Sequence, residues 1–98
     1  MINMDINKIK LTDHALVRCQ QRGIPLAILP IIVLYGKKVK THDDYKSFIN
    51  NKLMNSLSKK YPDIVSKFDK QIQSTAVIWN NDHVVTAFKI KQRLNWNN

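Results

Sequence analysis

The sequence predicts an α+β domain in which N-terminal helices and a helical middle pack on a small antiparallel sheet that ends in a C-terminal β-hairpin. Three observations predict it. Residues 12–23 combine a capping threonine, helically spaced apolar residues and a closing glycine. After Ile72 the apolar period switches from helical to alternating, as strands require. Ninety-eight residues, 44% of them hydrophobic, suffice for one core but not two, so residues 1–98 are expected to form a single domain with a frayed end at 95–98.

Taken in order, Ile2-Asn-Met4-Asp-Ile6 alternates and suggests a short edge strand. Thr12 is a good N-cap for a helix from Asp13 to Arg22, with Asp13 at the positive end of its dipole and Gly23 as its stop. Pro25 suits the first turn of a second helix, and Pro30 should kink that helix or delay its start before Gly36 ends it. The Leu, Ile and Val of this segment place it at the centre of the core. Lys37-Lys-Val-Lys40 reads as a basic connector or strand. A third helix is expected from Tyr45 to Lys60, where Tyr45, Phe48, Ile49, Leu53 and Leu57 keep helical spacing, and a fourth from Asp63 to Gln71. Thr75–Trp79 and His83–Ile90 then read as a hairpin joined at Asn80-Asn81-Asp82. Simple alternation aims Val84, Thr86, Phe88 and Ile90 at the core. His83, Lys89 and Lys91 then point the other way, with Arg93 beyond.

The net charge of +9 is high for this size and draws polyanions or an acidic partner. Of 16 basic residues only Arg18, Arg22 and Arg93 are arginine, and two of these fall in His14-x-x-x-Arg18-x-x-x-Arg22-Gly23. On a helix the three side chains lie within about 80° of one another. Imidazole beside guanidinium is chemistry suited to phosphodiesters. A solvated helix face that happens to be charged would look the same. A single Cys19 excludes an internal disulfide, and three scattered histidines give no metal-ligand spacing, so neither metal nor cofactor is expected. The apolar run Ile24–Tyr35 is shorter than the roughly 20 residues a bilayer span needs. A soluble cytoplasmic protein is the expectation, although delivery as a toxin domain would leave the same sequence.

The stretch Thr12-Asp-His14-Ala-Leu-Val-Arg18-Cys-Gln-Gln-Arg22-Gly-Ile24 resembles small bacterial domains with a His-x-x-x-Arg-x-x-x-Arg-Gly-Ile opening. These are similar to RelE/ParE and BrnT-type toxins within the barnase/EndoU/colicin/RelE ribonuclease group. Val84-Val-Thr86-Ala-Phe88-Lys89 resembles the closing strand of that group, and the two matches cover about a fifth of the chain. The resemblance implies a RelE/barnase-like fold, RNA as substrate (tRNA, mRNA or ribosome-bound) and an acidic antitoxin or immunity protein as partner. It points to His14, Arg18, Arg22 and Thr86. The long helical middle departs from the group's usual short strands, and fold alone does not certify a reaction.

Metal-free RNA cleavage needs a base, an acid and a cation for the charged phosphorane. The expected catalytic set is His14 as base or acid, Arg18 as clamp and Thr86 orienting the imidazole or bonding phosphate. Arg22, Lys89, Lys91 and Arg93 would bind the substrate backbone. His83 is a spare proton-transfer candidate that alternation places opposite Thr86, His42 reads as a surface residue, and Trp96 is free to stack on a base. Two other classes compete. One is a non-catalytic nucleic-acid binder, although its second helix is too apolar to read a major groove. The other is a protein-interaction module presenting a basic face.

Overall fold

Thr12 marks the point where a two-residue strand, β1 (Lys10–Leu11), gives way to helix α1 (Asp13–Arg22). In the computed structural model, which describes residues 9–90, the Thr12 hydroxyl accepts the Ala15 N–H at 3.1 Å, as its sequence position predicts. Gly23 closes the helix at φ 65°, in the left-handed region. The N–H groups of Gly23 and Ile24 bond back to the carbonyls of Gln20 and Cys19, which satisfies the last turn. A single 3₁₀ turn at Leu26–Ile28 leads into α2 (Leu29–Tyr35). Pro30 lies in the first turn of α2, where its missing N–H leaves no bond unmade. Its effect is therefore the delayed start rather than the kink.

Two strands follow, β2 (Lys37–Lys40) and β3 (Tyr45–Phe48), then α3 (Asn51–Lys60), α4 (Pro62–Gln73), β4 (Thr75–Asn80) and β5 (His83–Lys89). The sheet order is β1-β5-β4-β3-β2. The last four strands in that order are antiparallel to their neighbours, and β1 adds a parallel edge to β5. The architecture is thus α+β with a mixed sheet, rather than the purely antiparallel sheet expected. The segment Tyr45–Phe48 is strand and not the start of the third helix. It pairs with β2 on one side and β4 on the other, and two ladders of backbone bonds outweigh a helical spacing carried by two aromatic residues. The helix begins later, where the Asn50 side chain accepts the Leu53 N–H at 2.9 Å. The strand expected at Ile2–Ile6 lies outside the described residues.

The helices share one face of the sheet. Val77, Trp79, Val84 and Ala87 belong to the same buried cluster as Ala15 and Cys19 of α1, Ile31 and Ile32 of α2, Leu57 of α3 and Ile72 of α4. Each large aliphatic side chain buried there contributes on the order of 1.5–3 kcal/mol. On this face Trp79 stacks on Tyr45 with ring centroids 5.0 Å apart and donates its indole N–H to the buried Ser47 hydroxyl at 2.8 Å. Lys38 and Lys40 of β2 lie over those rings at 5.4 and 4.9 Å, closing the edge of the layer with cation–π contacts. Phe48 and Ala76 are buried too, but they stand outside the helix-covered cluster. Their register places them on the opposite face.

Candidate functional site

Each four-residue step along α1 turns the side chain about 40° further round the helix axis, so the His14–Arg18–Arg22 stripe spirals. His14 and Arg22 are exposed and Arg18 is half-buried. Arg18 Nε–H points to His14 Nε2 at 3.5 Å, and its Nη1 reaches Gln21 Oε1 at 3.5 Å. Both are long contacts that an incoming anion can replace. Arg22, carried round towards the sheet, donates from Nη1 to the Ala87 carbonyl at 2.7 Å. The reason lies in the ladder. Ile90 N–H bonds to Ser74 O, which puts 74/90 at a bonded position of the ladder, and by alternation Val77/Ala87 falls at a non-bonded one. The Ala87 carbonyl therefore points out from the β5 edge beyond the end of β1, and Arg22 caps it. Thr12 treats the same edge alike, its backbone N–H bonding Val84 O at 3.2 Å and its hydroxyl reaching Val85 O at 3.4 Å.

A β-bulge separates Ile78 from Trp79 in the β4–β5 ladder, with Thr86 opposite Ile78 but Val84 opposite Trp79. One extra residue, Val85, reverses the alternation of everything after it. Val84 and Ala87 face the helices, while Thr86 and Phe88 share a face with Ile78 and Ala76. The expected core row of Val84, Thr86, Phe88 and Ile90 is therefore corrected after its first member. Thr86 lies on the sheet face away from α1, and its expected meeting with His14 does not occur. Lys89, paired with Thr75, falls on the helix side of the sheet rather than beside His83. Lys91, Arg93 and Trp96 lie outside the described residues.

The same bulge assembles a cluster that alternation hides. His83 pairs with Asn80 of β4 and, across the parallel edge, with Lys10 of β1, so all three share the face that carries Thr86. The His83 Nδ1 lies 2.7 Å from Asp82 Oδ1, and the two side chains keep 51% and 40% of their exposure. That contact holds the ring by Nδ1 and leaves Nε2 without a hydrogen-bond partner among the described residues. The next row on this face runs Thr86, Ile78, Lys46, Val39. Thr86 is half-buried, and its hydroxyl has no hydrogen-bond partner among the described residues. The one trace of this arrangement in the sequence is that core-facing Val84 and Ala87 stand three apart. His42, by contrast, pairs with Asp43 on an exposed turn at 3.1 Å.

Cys19 is buried against the sheet, and burial pushes its thiol above the ordinary value against the opposing pull of the Arg22 charge. Among the described residues no group of three or more His, Cys, Asp or Glu side chains is placed to hold a metal ion. No described helix is long and apolar enough to cross a membrane. No protein-family model, curated protein or solved structure matches the chain.

Proposed function

We propose that the chain is a toxin-like, metal-independent endoribonuclease, with an acidic antitoxin or immunity protein as its natural counterpart. The observation that carries this reading is the solvent-accessible contact between the His14 imidazole and the Arg18 guanidinium, in a chain of net charge +9. An RNA phosphate draws Arg18 off the ring and frees His14 Nε2. The imidazole takes the 2′-hydroxyl proton, the 2′-oxygen bonds phosphorus, and the P–O5′ bond breaks as water gives a proton to the departing oxygen. Arg18 offsets the added negative charge on the phosphorane. Thr86 has no part in this site, and Arg22 acts through the β5 edge rather than on substrate.

A second reading has its own support. With Thr86 on the other face and Arg22 bonded to Ala87, α1 presents one proton-transfer group where cleavage uses two. Non-catalytic RNA binding needs none. Incubating the purified protein with total RNA in EDTA, beside folded His14→Ala and Arg18→Ala variants, separates the readings. Cleavage lost in both variants supports the ribonuclease. Intact RNA retained on the wild-type protein supports the binder, and no retention at moderate salt favours a protein-interaction module.

A further inference from the structure

The sheet face turned away from the helices carries chemistry that the α1 stripe does not explain. We infer that His83, held by Asp82 and flanked by Lys10 and Thr86, forms a second phosphodiester-binding site for single-stranded RNA. This assignment rests on the RNA-directed reading above.

The site draws on β1 and on both sides of the bulge in β5. Lys10 is placed by the parallel pairing of β1, His83 by the first residue of β5, and Thr86 by the bulge that returns it to the same face. Asp82 accepts at Nδ1 of a half-exposed ring, so Nε2 is the nitrogen left to meet a phosphate oxygen. The Thr86 hydroxyl, without a hydrogen-bond partner among the described residues, is a donor one row further along the strand, and Ile78 beside it supplies apolar surface for a sugar or base. Lysine from β1 neutralises phosphate without reading sequence, as backbone contacts do.

Among the described residues, the ionisable groups placed on this face around His83 are Lys10 of β1, Asp82 of its own turn, Asp44 beyond Asn80, and Lys46 of β3.

The test uses an oligoribonucleotide with 2′-O-methyl sugars, which binds as RNA does but cannot be cleaved. It is titrated into the labelled full chain and followed by NMR at the histidine imidazoles and backbone amides. Saturable shifts at His83, Lys10 and Thr86, with or without shifts on α1, are expected. His83→Gln should weaken that binding roughly fivefold. Shifts confined to α1, or no shifts at all, overturn the assignment, as does a His83→Gln variant that binds like the wild type. A wild-type protein that leaves total RNA intact would refute the ribonuclease and not this site, because the probe reports binding alone.

Discussion

Gly36 joins α2 to β2 with φ −78° and ψ 166°, a conformation open to any residue, so its need for glycine is steric. A Cβ there would stand 2.4 Å from the Ile32 carbonyl oxygen, 2.8 Å from the Phe48 oxygen and 3.1 Å from the Phe48 nitrogen. All three are backbone atoms, and ordinary contact begins only at 3.4 Å, so helix and strand must part by about 1 Å in a packed layer. Parting them strains the Gly36 N–H bond to Ile32 O, 2.9 Å long, and the Lys37–Phe48 pairing next to it. Overpacking costs about 1–3 kcal/mol and a weakened backbone bond about 1 kcal/mol more. Gly36→Ala should therefore lose about 2–4 kcal/mol, lowering Tm by about 10–30 °C in a domain this small. Gly23→Ala is the control, because its Cβ meets nothing within 4 Å and only φ 65° opposes it. It should lose about 1 kcal/mol. Thermal melts of both variants by circular dichroism check the ranking. A Gly36→Ala protein that melts within a few degrees of wild type, or above Gly23→Ala, would refute the close approach of α2 to β3.

The edge role of Arg22 predicts that Arg22→Ala loses about 1 kcal/mol in urea denaturation, by leaving the Ala87 carbonyl to solvent. Unchanged stability with a large loss of RNA retention would instead place Arg22 on the substrate. Cys19 makes a pH prediction. Burial holds its thiol above the ordinary value in the folded protein, so as pH rises through that ordinary value the unfolded chain releases this proton first and stability falls. Cys19→Ala should lose less stability than wild type as pH rises through the ordinary thiol range, compared by denaturant midpoints. Parallel curves for the two proteins would show that burial does not raise the thiol.

What could be read without coordinates was what neighbours in the chain decide. The Thr12 cap, the left-handed Gly23, the delayed start at Pro30 and the hairpin turn at residues 80–82 are set within a few bonds of the residues concerned. The α+β class followed from the same local periods. The His14–Arg18 contact was legible too, because residues four apart on a helix are neighbours whatever surrounds them.

Everything that depends on one strand's register against another was decided by the tertiary structure alone. Tyr45–Phe48 became strand because β2 and β4 were there to pair with it, and β1 found its parallel place only once β5 existed. Above all, the bulge at Val85 moved Thr86 away from His14 and onto the face of His83. Side chains alternate with a period of two, so one extra residue, whose position no local preference announces, exchanges the faces of all that follow it. Sequence thus supplied the chemistry-bearing residues, and cross-strand pairing chose which of them meet.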